Sequence, residues 1–199
     1  MKKFHQCRTP ERVERVRRVL GRRQTDLTLV LANVWDPHNV SAVLRSCDAF
    51  GVFGVHLYYT TEAFPALGAK SSASAKKWIE LTRHTDAAEM VVGLQGRGMQ
   101  VLCTGLDDDA LPVNECDFTR PTAVILGNEH RGVDPELDAL VPRRVYIPMQ
   151  GMVQSLNVSV AAAVVLYEAW RQRHAAGMFE EPDFEPEELE RLVKQWCER

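Results

Sequence analysis

The sequence has no apolar run long enough to cross a bilayer. Its longest nearly unbroken apolar stretch, residues 158–166, is interrupted by Ser159 and falls far short of the roughly 20 residues that a membrane helix needs. The basic N-terminus is not followed by an apolar segment and a small-residue cleavage site, so no secretory signal is visible. We therefore expect a cytoplasmic protein without a membrane span.

Cysteines are few, and two common nucleotide-binding motifs are missing. The five cysteines form no Cys-x-x-Cys pair, and no histidines accompany them at zinc-finger spacing, so neither a disulfide framework nor a metal site is expected. The sequence contains neither a Gly-x-Gly-x-x-Gly fingerprint nor a phosphate-loop Gly-Lys-Ser/Thr. A nucleoside-triphosphate site and a nicotinamide-dependent oxidoreductase are therefore disfavoured.

Charge is distributed unevenly along the chain, although the net charge is only −3. Residues 1–23 hold nine Lys and Arg against two Glu, a balance of +7, whereas residues 180–199 hold eight acidic against three basic residues, a balance of −5. The basic end of the chain is therefore the candidate surface for a polyanion.

A helix is predicted within this basic end, over residues 10–20. Thr9-Pro10-Glu11 is a helix-start signal, because Thr caps free N–H groups, Pro suits the first helical position and Glu complements the helix dipole. Apolar residues recur on one face, and arginines occupy the other. Two interpretations remain open: a solvated surface helix, or a contact for phosphate groups through Arg12, Arg15 and Arg18.

From residue 27 onward, short apolar runs alternate with helical patterns. They predict strands at 27–34, 55–59, 78–82, 101–104, 123–126 and 145–147, and helices at 40–50, 87–95, 135–140 and 157–173. This alternation is typical of an α/β domain with a mainly parallel sheet. We expect a basic helical extension over 1–24, one main domain over 25–176 and an acidic helical tail over 177–199, with a mobile loop or an irregular helix on the surface at 60–77.

Three polar segments follow predicted strands, where an open α/β sheet binds its ligands. They are Asn39-x-x-Ala42-x-x-Arg45, Gly127-x-Glu129-x-x-Gly132, and Ile147-Pro148-Met149 followed by Ser155-Leu156-Asn157. Each segment taken alone has an ordinary structural interpretation: a capped helix with a surface arginine, a glycine-containing turn, and a helix capped by Ser155 or Asn157.

Taken together and in this order, the three motifs closely resemble those of the SPOUT (α/β-knot) RNA 2'-O-methyltransferases, over residues 12–178. The resemblance implies a mainly parallel sheet with helices on both faces and a C-terminal trefoil knot, an unusual topology that periodicity cannot predict. It also implies a homodimer and the cofactor S-adenosyl-L-methionine, held around Thr104, Gly127, Ile147, Met149 and Leu156. The implied catalytic residues are Arg45, Asn39, Glu129, Ser155 and Asn157.

Within the family, the sequence is most similar to the enzymes that methylate a guanosine in tRNA. This resemblance rests on Pro37-His38-Asn39, on residues 151–154 and on residues 167–173. It implies that tRNA is the partner, with the D-loop guanosine at position 18 as the target. The expected RNA contacts are Arg12, Arg15, Arg18, His38, Arg171 and Arg173. Ribose methylation of rRNA or of another tRNA nucleotide stays open, as does a non-catalytic RNA-binding protein.

Arg45 has two possible roles in such an enzyme. Its counterpart in the family is proposed to activate the ribose hydroxyl with help from an RNA phosphate. A free arginine is too basic to accept a proton at neutral pH, so we favour a clamp that holds the phosphate and stabilises the developing alkoxide. Asn39 would position Arg45 or the ribose, and Glu129 would contribute hydrogen bonds or brace the dimer.

Overall fold

The fold is known from a computed structural model that describes residues 9–66, 75–107 and 109–199. Part of the predicted loop 60–77, the first eight residues and Asp108 lie outside the described residues. The strands are β1 (Leu27–Ala32), β2 (Gly54–Tyr58), β3 (Glu80–His84), β4 (Gln100–Thr104), β5 (Leu111–Pro112), β6 (Thr122–Leu126) and β7 (Arg144–Tyr146). The helices are α1 (Pro10–Leu20), α2 (Pro37–Ala49), α3 (Ala87–Gly96), α4 (Pro135–Leu140), α5 (Val158–Ala175) and α6 (Pro186–Cys197).

The strands form one seven-stranded sheet in the order β3-β2-β1-β6-β4-β7-β5, and every neighbouring pair is parallel. Every residue of β1 and of β6 is buried, as expected for strands that are covered on both faces. The predicted parallel α/β architecture is therefore confirmed. The strands β2 and β3 lie on one side of β1 and the strands β4–β7 on the other, which places a topological switch point between β1 and β6, near the centre of the sheet.

Side chains of β1 alternate between two apolar cores. Leu27, Leu29 and Leu31 belong to the core that α2 and α5 cover, whereas Val30 and Ala32 belong to the core under α3 and α4. This alternation follows from the two-residue period of a strand. On α2, the face toward the sheet is formed by buried side chains: Val40, Val43, Leu44 and Cys47.

The two ends of the chain pack against each other. Apolar side chains of α1 and α6 form a third core, in which Leu20 and Trp196 are almost fully buried. The Arg17 guanidinium also forms an ion pair with the Glu190 carboxylate of α6. Part of the basic charge of the N-terminal helix is therefore paired inside the molecule with the acidic tail.

Helix α1 begins and ends where the sequence predicts. Thr9 caps it, with its hydroxyl oxygen accepting from the Arg12 N–H at 3.3 Å. The third strand is displaced by two residues from its predicted start, because a 3-10 turn over Ala75–Lys77 directs Trp78 against Trp196 of α6 instead of into the sheet. The short edge strand β5 was not predicted. None of the helices in the described ranges is long and apolar enough to cross a membrane.

The prediction that Arg173 contacts RNA is wrong. Its guanidinium is fully buried beneath α5, where it forms an ion pair with Asp26 and donates to the Gln24 side chain at 2.9 Å. It also donates to the backbone carbonyls of Phe118 at 2.8 Å and Arg120 at 3.1 Å. Position 173 falls on the buried face of α5, so a cation there fixes the C-terminal half of the helix to the sheet.

Candidate functional site

The carboxyl ends of β4, β6 and β7 open into a cavity of about 620 Å³. Its far wall is the start of α5 and the irregular segment before it. The residues predicted to hold a cofactor all line this cavity, and so do three of the predicted catalytic residues. The predicted cofactor residues are Thr104, Gly127, Ile147, Met149 and Leu156. The predicted catalytic residues are Glu129, Ser155 and Asn157. Apolar side chains complete much of the wall: Leu126, Val145, Val158 and Val165.

Glu129 connects the loop after β6 to the loop between β1 and α2. One carboxylate oxygen accepts from the Trp35 N–H at 2.9 Å, and the other accepts from the Asp36 N–H at 3.3 Å and from the Asn39 amide at 2.7 Å. Glu129 therefore braces two segments within one chain.

The charge state of Glu129 suits this bracing. Burial by itself would raise the pKa of the carboxyl, but the hydrogen bonds from the Asn39 amide and from the backbone N–H groups of Trp35 and Asp36 outweigh it. The net pKa is lowered below its ordinary value of 4.5. At neutral pH Glu129 is an ionised acceptor whose oxygens are already engaged, so it is poorly suited to accept a substrate proton.

Asn39 joins the first motif to the third as well as to the second. The Asn157 side-chain amide donates to the Asn39 side-chain oxygen at 3.0 Å. Asn157 is also the N-cap of α5, because its side-chain oxygen accepts from the Ser159 N–H at 2.8 Å. One continuous set of hydrogen bonds therefore runs from Glu129 through Asn39 to Asn157, and it includes a residue from each motif.

The loop that begins at Gly127 can form only with glycine at that position. A Cβ atom on Gly127 would lie 2.2 Å from the backbone carbon of Gly132, a contact that no side chain tolerates. Gly132 has a φ of +74°, in the left-handed region that favours glycine. The backbones of Asn128 and Gly132 exchange two hydrogen bonds, at 2.8 and 2.9 Å, which close the loop. Glycine is therefore required at position 127 by the close approach of the backbone and is favoured at position 132 by the left-handed conformation.

Two asparagines that support the site were not predicted. Asn33 adopts a φ of 49° at the end of β1, and its side-chain oxygen accepts from three consecutive backbone N–H groups, those of residues 60–62. The Asn128 amide donates to the Asn33 carbonyl at 2.7 Å. The signal was an asparagine that directly follows a strand with a single polar residue, since Asn tolerates left-handed backbone and bonds locally.

Arg45 and His38 lie apart from this hydrogen-bonded set. Both are exposed on α2, seven residues and about two helical turns apart on one face. Within the described residues Arg45 makes no hydrogen bond or ion pair, so its guanidinium is free to meet a ligand. Ser155 is exposed on the cavity rim, and Arg171 is exposed on α5 but paired with Glu168 at 2.7 Å.

The three arginines predicted to contact RNA through α1 differ in exposure. Arg15 and Arg18 are exposed, whereas Arg12 is half-buried at the junction with α6. In the parts of the chain that the structure describes, no His, Cys, Asp and Glu side chains are grouped closely enough to hold a metal ion.

Comparison with known proteins extends these observations. A tRNA (guanosine(18)-2'-O)-methyltransferase from Thermus thermophilus is 46% identical over 192 residues, which are 96% of this chain and 98% of that protein. The A. aeolicus TrmH/SpoU tRNA modifying enzyme has a similar crystal structure, with a TM-score of 0.88 at 36% identity over 94% of this chain and 95% of that one.

A third relative is solved with a cofactor. The SpoU methyltransferase AviRb from Streptomyces viridochromogenes, in complex with AdoMet, matches with a TM-score of 0.68 at 27% identity over 76% of this chain and 60% of that one. Residues 26–167 match the SpoU rRNA Methylase family, and this range includes all three motifs. The chain therefore belongs to the SpoU rRNA methylase family.

Proposed function

We propose that this protein transfers a methyl group from S-adenosyl-L-methionine to the ribose 2'-hydroxyl of a guanosine in tRNA, the D-loop guanosine at position 18. The observation that carries the proposal is the hydrogen-bonded set Glu129–Asn39–Asn157 at the rim of the cavity. Relatives named for this activity match nearly the whole chain, including α1 and α6. That full-length match favours tRNA over rRNA as the substrate.

The residues of the cavity fit the cofactor. Its volume lies in the ordinary range for small-molecule sites, and its apolar wall suits an adenine ring and the methylene groups of a methionine chain. Thr104, Gly127, Ile147, Met149 and Leu156 would hold the group. When bound, adenosylmethionine supplies an activated methyl group on a sulfonium.

Arg45 is proposed to hold the RNA at the reacting centre. An arginine keeps its proton at neutral pH, so its contribution is two directed N–H donors that bridge a phosphate and the ribose oxygen. Such donors stabilise negative charge as it develops on the 2'-oxygen. The absence of a competing partner among the described residues leaves the guanidinium available for this contact.

Asn39, Glu129 and Asn157 are proposed to fix the geometry of attack. In-line displacement requires the 2'-oxygen and the methyl carbon to be aligned within a fraction of an ångström. The ionised Glu129 holds the Asn39 amide, and Asn39 in turn holds Asn157 at the start of α5, which forms the cavity wall. Ser155 adds a hydroxyl on the same rim.

The remaining proposals concern assembly and RNA contact. We propose a homodimer with a trefoil knot in the C-terminal half, acting in the cytoplasm. An apolar patch at the start of α5 supports the dimer, since its side chains are exposed in the single chain: Met152, Val153, Leu156 and Val160. Sedimentation equilibrium measures the assembly state directly. Basic side chains on α1, α2 and α5 are the proposed RNA surface, and all of them are exposed except the half-buried Arg12: Arg12, Arg15, Arg18, His38 and Arg171.

The test is single-turnover methyl transfer to an unmodified tRNA transcript, with the modified nucleotide mapped by mass spectrometry. A transcript with 2'-deoxyguanosine at position 18 should accept no methyl group. Ribosomal RNA fragments should be poor substrates, and preference for them would favour the rRNA alternative. An absence of transfer to any RNA, with RNA binding retained, would favour the non-catalytic alternative.

Arg45 variants test the assignment of the reacting centre. Arg45→Ala should lower the single-turnover rate at least 100-fold while leaving cofactor affinity unchanged, the size of effect of a lost donor to a developing oxyanion. Arg45→Lys should restore little, because lysine keeps the charge but loses the planar fork. The matched control is Arg191→Ala, an exposed arginine on α6. Wild-type rates for Arg45→Ala would contradict the assignment.

A further inference from the structure

An exposed tryptophan lies beside the candidate site. The Trp35 side chain follows β1, immediately before α2, and the residue is 62% exposed. Its indole packs against the His130 ring in an edge-to-face arrangement, with ring centroids 6.0 Å apart. His130 lines the cavity, so the indole lies just outside the cavity rim.

The backbone that carries this indole is firmly held. The Trp35 N–H donates to the Glu129 carboxylate at 2.9 Å, and the preceding carbonyl, that of Val34, accepts from the Tyr59 hydroxyl at 3.0 Å. Asn33, one residue earlier, is bonded through its side chain to the residues after β2. A rigid loop therefore presents a large apolar ring to solvent, although the ring buries little surface in the fold of its own chain.

We propose that Trp35, together with His130, is a stacking platform for the base of the methylated nucleotide. The proposal rests on the proposed function, and it adds a residue that recognises the base to those that act on the ribose. A ribose whose 2'-hydroxyl reaches the cavity carries its base on the same nucleotide, within a few ångströms of the rim. Aromatic side chains bind unstacked bases by their π-faces.

The chemistry of the rim favours a base over a phosphate at this position. The Glu129 carboxylate binds the backbone N–H of Trp35, and the next residue, Asp36, carries a second carboxylate, so negative charge near this loop disfavours a phosphate. A neutral purine meets no such repulsion, and its ring matches the area of an indole. Because the loop is already ordered, the platform loses little conformational freedom when a base stacks on it. Trp35 would thus position the target nucleotide by holding its base.

The test combines protein variants with a change in the RNA. Trp35→Ala and Trp35→Phe are compared with wild type on intact tRNA and on tRNA whose target nucleotide keeps the ribose but lacks the base. The control is Val92→Ala, a similarly exposed apolar residue on α3. Single-turnover rates at subsaturating tRNA are measured together with cofactor affinity and sedimentation.

On intact tRNA, Trp35→Ala should lower the rate about 5- to 150-fold, the range for one lost base stack, while Trp35→Phe retains most of it. On the abasic RNA the wild-type rate should fall by a similar factor, and Trp35→Ala should add little further loss. Cofactor affinity should be unchanged in both variants. The two losses are not additive when they remove the same contact.

Three outcomes would overturn the platform and leave the proposed function standing. If the loss of rate from Trp35→Ala and the loss from removing the base multiply when both are combined, Trp35 does not contact the target base. An unchanged rate for Trp35→Ala on intact tRNA would also show that Trp35 does not contact the target base. A shift to a smaller species in sedimentation would assign the indole to contact with a second copy of the chain. If wild type transfers no methyl group to intact tRNA, the proposed function fails and the platform fails with it.

Discussion

Replacing Glu129 with glutamine should lower both the stability of the fold and the rate of methyl transfer. The carboxylate accepts three hydrogen bonds, one at the oxygen facing Trp35 and two at the oxygen facing Asp36 and Asn39. Glutamine has one acceptor oxygen, so its NH₂ group must face an N–H donor in at least one of these contacts. The variant thus loses one charge-assisted bond and weakens the others.

A bond to a charged group contributes about 1.5–3 kcal/mol, and water can partly replace it here because Glu129 is half-buried. We expect the free energy of unfolding to fall by about 2 kcal/mol. For a domain of this size that corresponds to a decrease in Tm of roughly 4–8 °C. Urea titration at one fixed protein concentration measures the free energy of unfolding, and differential scanning calorimetry measures Tm.

The effect of Glu129→Gln should depend on pH in a defined direction. The pKa of Glu129 is lowered in the folded state, so its contribution is fully present above the ordinary value of 4.5 and is lost as the pH falls through the folded value. The stability difference from wild type should be constant near neutral pH and shrink below about 4.5.

The control for this prediction is Glu136→Gln. Glu136 is exposed and, among the described residues, accepts a hydrogen bond from the Tyr58 hydroxyl alone, at 3.1 Å, a bond that glutamine can also accept. Its cost should stay below about 0.5 kcal/mol. Equal stability and equal single-turnover rates for Glu129→Gln and wild type would refute the reasoning that this carboxylate organises the site.

Arg173→Met should destabilise the fold by about 3 kcal/mol, because it leaves Asp26 and buried carbonyls unpaired, whereas the exposed Arg171→Met should cost less than about 1 kcal/mol in the same urea titration. Gly127→Ala should lower cofactor affinity in calorimetry and should also destabilise the fold, since the added Cβ forces the loop open, and unchanged affinity would contradict this geometry. Replacing Arg12, Arg15 and Arg18 together with alanine should weaken tRNA binding and flatten its salt dependence without changing cofactor affinity, and a filter-binding salt series detects this.

Local patterns in the sequence were enough for most of the architecture. The start of α1 follows from Thr9 and Pro10, because capping is a property of a few neighbouring residues. The strands β1 and β6 follow from short apolar runs, and the parallel sheet follows from their alternation with helices. The three motifs were found because each follows a strand, where parallel sheets bind ligands.

Long-range packing decided what these patterns could not. Arg173 was assigned to RNA from the family resemblance of residues 167–173, but it lies on the buried face of α5 and pairs with Asp26, a residue nearly 150 positions earlier in the chain. Trp78 leaves the predicted strand because its ring packs on Trp196 at the opposite end of the chain. Neither partner lies within reach of any local pattern.

The sequence by itself determined the residue types, the order of the elements and the positions of the three motifs, since these depend on neighbouring residues and on periodicity. Only the tertiary structure decided that Glu129 accepts from the loop after β1, that Asn39 bridges to Asn157, and that Trp35 stays exposed beside His130. These contacts join residues about 90 to 120 positions apart, and their distances are set by how the strands pair in the sheet. The order of the strands therefore assembles the site, and it is a property of the whole chain.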